Sequence, residues 1–259
     1  MSTILFDEIA FGPIHSRRLG ISLGMNLLPY NGKVCSFDCI YCECGYNKDF
    51  RTKTPLPSRE NVKAALEHKL QQLEKENIIP DVITFAGNGE PTLHPKFAEI
   101  IEDTIQLRNK FVPNAKISVL SNGMHINKES VFQALKKVDN NILKLDSAIL
   151  ETVKLIDCPA SPSYSIENQI RLFNKFEGNF IMQTMFLRGT HNGKIVDNTT
   201  EEEVTAWLEA VKATNPKEVM IYTIDRETPE KNLEKVPLEK LKDIAARVEE
   251  LGIKTIVSG

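Results

Sequence analysis

From Ser58 to the end, short runs rich in β-branched residues alternate with longer segments of helical apolar spacing. Val62, Ala65, Leu66, Leu70 and Leu73 share one helical face, with Lys69 the polar intruder. Residues 81–85 (Asp-Val-Ile-Thr-Phe) read as a strand, 95–108 as a helix and 116–120 as a second strand. The pattern repeats with a helix over 128–138, a strand over 141–145, a helix over 165–176 and a strand over 179–187. Thr200 and Glu203 form a capping box ahead of Val204, Trp207, Leu208 and Val211. A strand at 218–224 follows, then a helix carrying Leu241, Ile244, Ala245 and Val248. Gly252 ends that helix before a last strand at 253–257. Strands separated by helices pair in parallel through right-handed crossovers, so the chain should build an α/β fold around a parallel sheet. Residues 52–57, with two prolines, and residues 191–198, rich in Asn and Gly, read as loops, the second a surface loop or a mobile lid.

No repeat, low-complexity tract or linker interrupts the chain, so 1–259 is expected to be one domain. A chain of that length buries roughly 75% of its unfolded surface and needs no disulfide staples. The formal net charge of −3, with no long basic block, does not call for nucleic acid and leaves room for a local basic patch. The first residues do not read as a secretory leader. No apolar run approaches the ~18 residues of a membrane span. A cytoplasmic protein without membrane contact is expected. Five cysteines is an odd number, and four of them lie between positions 35 and 44. That distribution argues against a secreted disulfide framework and for a metal or redox site.

The run Cys-Ser-Phe-Asp-Cys-Ile-Tyr-Cys puts Cys35, Cys39 and Cys42 at i, i+4 and i+7. Three thiolates on a short loop can reach three corners of one iron–sulfur cube. A [4Fe–4S] cluster normally takes four, so one iron stays open to another ligand. The competing reading is a zinc ion held by Cys35, Cys39, Cys42 and Cys44. Structural zinc usually uses two separated cysteine pairs, and this sequence has no second pair.

The other chemically suggestive residues fall just after strands, where the carboxyl ends of a parallel sheet carry sites. Gly87, Asn88, Gly89 and Glu90 follow strand 81–85. The two glycines let backbone approach a small ligand, and the Glu90 carboxylate suits an ammonium group. Ser121, Asn122 and Gly123 end the next strand, either as a turn or as donors for a carboxylate or ribose. Lys144 and Asp146 end the following one, and Asp146 is either a helix cap or a ribose or substrate contact. Gln183 and Met185 share one face of strand 179–187, with Gln183 directed to a barrel lumen. Asp225 and Arg226 are a surface ion pair or a substrate anchor, since Arg binds anionic groups in a bidentate fork. His15, Arg17 and Arg18 cluster ahead of the first barrel strand, as solvated charge or as an anion contact. Cys44 is a spare thiol or an alternative ligand. Cys158 is a small packing residue or, less conservatively, a thiol that donates a hydrogen atom to a substrate radical.

The C-x3-C-x2-C spacing with Tyr41 before the last cysteine resembles the signature of the radical S-adenosylmethionine (radical SAM) enzymes. With it, in order, occur Gly-Pro-Ile-His-Ser-Arg-Arg-Leu-Gly, Gly-Asn-Gly-Glu-Pro-Thr-Leu-His-Pro and Ile-Tyr-Thr-Ile-Asp-Arg. Together they resemble iron–sulfur oxidoreductases related to the tRNA 4-demethylwyosine synthases. Asn88 departs from the family's Gly-Gly-Glu, and no second cysteine set precedes Cys35. The resemblance implies a partial (β/α)6 TIM-like barrel, a [4Fe–4S] cluster on Cys35, Cys39 and Cys42, and S-adenosyl-L-methionine (SAM) as cofactor. It implies that Gly87, Asn88, Gly89, Glu90, Ser121, Asn122 and Asp146 orient SAM and that Tyr41 contacts adenine. Reductive cleavage of SAM to a 5′-deoxyadenosyl radical, which abstracts hydrogen from a substrate, is the implied reaction. A flavodoxin or ferredoxin would supply the electron. Cys158, Asp225 and Arg226 are the candidate catalytic residues. A small molecule or peptide substrate, a tRNA, and a glycyl radical enzyme awaiting activation all stay open. A non-catalytic metal module is the fourth reading, and the intact SAM motifs speak against it.

Overall fold

The computed structural model describes residues 4–16 and 18–259; Arg17, grouped above with His15 and Arg18, lies outside them. The chain opens with a hairpin of β1 (Ala10–Ser16) and β2 (Gly20–Met25), antiparallel to each other. The long loop that carries four of the cysteines leads to α1 (Arg59–Lys75). Then come β3 (Val82–Phe85), α2 (Phe97–Phe111), β4 (Lys116–Ser121), α3 (Glu129–Lys137) and β5 (Asn140–Lys144). Two helices, α4 (Leu150–Ile156) and α5 (Ile166–Asn174), lead into the long β6 (Ile181–His191). The remainder is β7 (Lys194–Asp197), α6 (Glu201–Thr214), β8 (Glu218–Thr223), β9 (Leu233–Lys235), α7 (Leu238–Glu249) and β10 (Lys254–Ser258).

The main sheet runs β1-β2-β3-β4-β5-β6-β8-β10. Along that order every pairing from β2 onward is parallel and each step is bridged by at least one helix, while β7 and β9 pair β6 antiparallel off the main path. β1 and β10 end the order without pairing each other, so the sheet is a partial (β/α)6 barrel with an open side, as the resemblance implied. Side chains alternate across it. Ile117 and Val119 on β4, Met182 and Phe186 on β6, and Val219 and Ile221 on β8 join the large core beneath the helices. Trp207 on α6 closes that core. Its indole N–H donates to the Thr184 hydroxyl at 3.0 Å, and its ring meets Phe186 edge-on at 5.3 Å. Each such buried side chain contributes about 1.5–3 kcal/mol. The other face holds Ile142, Ile181 and Met220 low in the lumen and Gln183 above them.

Three sequence expectations change. Residues 191–198 are not a loop: β6 runs to His191 and pairs β7 across a two-residue turn, with Asn192 and Gly193 at φ 50° and 72°. Asn-Gly is the favoured pair for such a turn because both positions need positive φ. The capping box is half made. Thr200 accepts from the Glu203 N–H at 3.3 Å, but the Glu203 carboxylate turns inward to the Ser147 hydroxyl at 2.6 Å and to Thr152. Helix α2 continues to Phe111 because the first stop is Pro113, which forbids helix in the residue before it.

Candidate functional site

The cysteine loop lies over the carboxyl ends of the strands and is tied down on two sides. On one side Val34 N–H donates to Asn88 O at 2.9 Å, and Glu90 N–H donates back to Val34 O at 3.0 Å. On the other, Asp38 N–H donates to Asp157 O and Ile40 N–H to Ile156 O, at 3.0 and 2.9 Å, so the loop rests on the end of α4. Gly89 is glycine for the first contact. Its φ is +134°, and a Cβ there would sit inside the Val34 carbonyl. Gly87 likewise packs against Asn26. The two glycines therefore admit other parts of the chain, where the sequence reading had them admit a ligand. Asn88, expected at the cofactor, is fully buried and turned away. Its amide exchanges hydrogen bonds with both backbone groups of Phe6 and donates to Pro29 O at 2.8 Å.

Cys35, Cys39 and Cys42 are half-buried thiols on this loop. Phe37, Val153, Tyr164 and Ile166 pack against Cys35 and Cys39. Burial, with Glu90 adding, pushes the Cys35 thiol up to about 12, and burial also raises Cys39. The adjacent Cys44 side chain, with help from the Lys33 ammonium, lowers Cys42 to about 6. Cys44 itself is buried, and its thiol donates to Gly87 O at 3.4 Å. Lys33 went unremarked in the sequence. Its ammonium is buried under the loop, donating to Gly45 O at 2.6 Å and to Asp38 at 3.2 Å. Only the tertiary fold shows that this lysine sits among the thiols. Structural zinc usually takes two separated cysteine pairs, whereas Cys35, Cys39 and Cys42 come from one short loop and supply three thiolates, the number that leaves one iron of a cube open.

Glu90 is 3% exposed and already engaged. One oxygen accepts from the Thr92 N–H at 3.1 Å, the Thr92 hydroxyl at 2.5 Å and the Ser121 hydroxyl at 2.9 Å; the other accepts from the Asn122 N–H at 2.8 Å. Burial raises its pKa, and these donors work against that rise. The carboxylate joins the end of β3 to the end of β4. The Asn122 side chain reaches the cysteine loop, donating to the Ser36 hydroxyl at 2.9 Å and approaching Cys35 Sγ at 3.8 Å.

Tyr41 and Asp146, expected at adenine and ribose, bond to each other, and Lys144 bonds to both. Lys144 also pairs with Asp157 at 2.5 Å and lies 4.6 Å from the centre of the Tyr41 ring. Burial opposes the ammonium charge, but Asp146 and Asp157 outweigh it and hold Lys144 above its ordinary range. Asp157 is a second residue the sequence reading missed; nothing in its local Ile-Asp-Cys-Pro setting marks it. Cys158 follows at φ 44°, with its thiol donating to Leu155 O at 3.6 Å.

Beside the loop, a lumen cavity of about 330 Å³ is lined by residues including Phe11, His15, Arg18, Glu43, Asp225 and Arg226. It gathers residues from positions 6 to 226, and Cys158 is not among them. Arg226 is exposed and paired with Glu43 at 2.7 Å, and Asp225 stands 3.9 Å from Lys235. A larger cavity of about 890 Å³ opens at the opposite end of the barrel, around Asp81, Lys116 and Lys254, away from the thiols.

A family model described as the radical SAM superfamily matches residues 32–154, the segment from the cysteine loop through most of α4. The UPF0026 protein MJ1312 of Methanocaldococcus jannaschii is 32% identical over 248 residues, covering 94% of this chain and 72% of that protein. The chain belongs to the UPF0026 family, within the radical SAM superfamily. It is thus an enzyme of a family that uses a [4Fe–4S] cluster and SAM. Among solved structures, Streptococcus suis SuiB bound to S-adenosylmethionine superposes with a TM-score of 0.63 at 14% identity, covering 90% of this chain and 50% of SuiB. The chain therefore spans about half the length of that neighbour. TYW1 with a lysine-pyruvate adduct bound gives a TM-score of 0.60 at 14% identity, covering 88% of this chain and 73% of that one. Both likenesses are of fold. Among the described residues no helix is long and apolar enough to cross a membrane.

Proposed function

We propose that this chain is a radical SAM enzyme in which Cys35, Cys39 and Cys42 hold the cluster and the lumen cavity receives a small molecule or an extended peptide side chain. The observation that carries the reading is the placement of the three-thiol loop over the strand ends, bolted to Gly89 and Glu90 and bordering the cavity. Cys35, Cys39 and Cys42 would hold the cluster, which would supply the electron for reductive cleavage of SAM and so the means of abstracting a hydrogen atom from a substrate.

The chain's own residues prepare that chemistry. Lys33 sets a positive charge beneath the thiolates. Glu90 holds the ends of β3 and β4 together so that the Gly87 carbonyl and the Asn122 side chain stand beside the loop. The turn from Gly87 to Glu90, at the end of β3, would receive the ammonium of SAM. Lys144, Asp146, Asp157 and Tyr41 form a closed charge network that fixes the loop from below. The apolar packing of Phe37, Ile40 and Tyr41 keeps water from the thiols. An external one-electron donor of the flavodoxin or ferredoxin kind completes the system. At the cavity, Arg226 is paired with Glu43 and Asp225 stands near Lys235, so part of the charge there is already matched, which supports a small substrate.

The test is anaerobic reconstitution with iron and sulfide, followed by reduction with and without SAM. About four irons per chain, a SAM-dependent change in the EPR spectrum and slow release of 5′-deoxyadenosine are expected. Tight zinc with no SAM cleavage would overturn the reading.

A further inference from the structure

We propose that Arg18 is the anion anchor of the lumen cavity and binds a carboxylate or phosphate group of the substrate; this rests on the cavity being the substrate site. The sequence placed an anion contact at Arg226 or in the His15 cluster without choosing. The structure separates them, since Arg226 is exposed and its charge is met by Glu43. Arg18 has no such partner. Its Nη1 is buried and makes no hydrogen bond, and among the described residues no carboxylate forms an ion pair with it. An unsatisfied buried donor is expensive, more so when charged, and is seldom left without a reason.

The guanidinium is nonetheless held in place. It lies 4.4 Å from the centre of the Tyr222 ring, whose face attracts a cation without neutralising it. The Tyr222 hydroxyl accepts from Gln183 at 2.8 Å, which fixes the ring from β6. At the backbone, the Ser16 hydroxyl accepts from the Leu19 N–H at 3.2 Å and braces the turn between β1 and β2. Asp81, a carboxylate of the lower cavity, accepts instead from the Ile21 N–H at 2.8 Å. Arg18 lines both cavities, so it forms the floor of the upper and the ceiling of the lower. Above it, Phe6 and Phe11 stack at 3.9 Å and give the cavity an apolar wall, and His15 borders the same space. A ligand with an oxyanion at one end and an apolar body matches this floor and wall. The planar fork of Arg accepts a carboxylate or a phosphate, and both share the chemistry required.

The test uses cluster-loaded protein with SAM and 15N-labelled arginine. The Arg18 Nε–Hε signal is assigned by its loss in Arg18→Lys and, should that variant fold poorly, in Arg18→Gln. Acetate and methyl phosphate are titrated separately, with chloride as the ionic-strength control. A saturable shift of the Arg18 signal, while the ion-paired Arg59 and Arg247 move no more than in chloride, is expected. Saturation by acetate identifies a carboxylate substrate and saturation by methyl phosphate a phosphorylated one; calorimetry should show the same anion at least tenfold weaker on Arg18→Gln. An Arg18 signal that follows chloride with both probes overturns the proposal. The SAM-dependent EPR change tests the cofactor reading separately, so a silent Arg18 beside a normal EPR response removes the anion site alone.

Discussion

Replacing Glu90 by Ala separates a structural role for this carboxylate from a purely ligand-binding one. In the structure the carboxylate takes four hydrogen bonds in a buried setting. Truncation to Ala strands two backbone donors, the N–H groups of Thr92 and Asn122. The hydroxyls of Thr92 and Ser121 can rotate to other acceptors. Each stranded buried donor costs ~1–3 kcal/mol, so the pair costs about 4 kcal/mol. Burying the Glu90 charge was itself unfavourable, as its raised pKa shows, and removing it returns part of that sum. A net loss of about 3 kcal/mol is expected, which moves a urea midpoint by ~1 M at an m-value of ~3 kcal/mol/M. Glu90→Gln should fall about halfway, because one amide hydrogen must face a backbone N–H in either orientation. The assay is reversible urea unfolding followed by circular dichroism under anaerobic conditions. A Glu90→Ala midpoint within ~0.2 M of wild type would refute the argument and return the carboxylate to the ligand.

Three further substitutions test neighbouring steps. Gly89→Ala forces a side chain into the Val34 carbonyl at φ +134° and should lower folded yield and iron uptake together, read by circular dichroism and iron content; normal values for both would contradict the loop contact. Lys33→Met removes the ammonium from Gly45 O and from the thiol neighbourhood, and reconstituted protein should lose iron to a chelator severalfold faster than wild type. Equal release rates would remove Lys33 from the account. Asp103 is held below the usual carboxylate range, chiefly by its two hydrogen bonds from Arg59 at 2.6 and 2.9 Å. A lowered folded pKa gives stability that is present above the unfolded value near 4 and lost as pH falls through the folded value. Asp103→Asn should therefore be less stable than wild type at pH 6.5, with the difference shrinking towards pH 3; a gap that does not change with pH would show the pairing is not electrostatic.

Much of the architecture was legible because it is encoded locally. The spacing of Val62, Leu66, Leu70 and Leu73 makes a helix with one apolar face whatever it packs against, and runs such as 81–85 make strands. The missed elements are those with weak local signals. Helix α4 is seven residues long, β9 is three, and both depend on partners elsewhere. The hairpin at Asn192-Gly193 is different, since its turn pair was readable and was outweighed by a generic loop composition.

The candidate site divides along the same line. The positions of Cys35, Cys39 and Cys42, and of Gly87 to Glu90 after a strand, are facts of sequence, and they were enough to point to the superfamily and its cofactors. What each side chain does was decided by contacts across the fold. Glu90 meets Asn122 only because β3 and β4 pair in register, and Tyr41 meets Asp146 only because the cysteine loop folds back over β5. Arg18 enters the lumen because the sheet curls and brings β8 opposite β2. Spacing along the chain determines which elements and which reactive groups exist. The curl and register of the sheet determine which of those groups face a ligand and which are consumed holding one another.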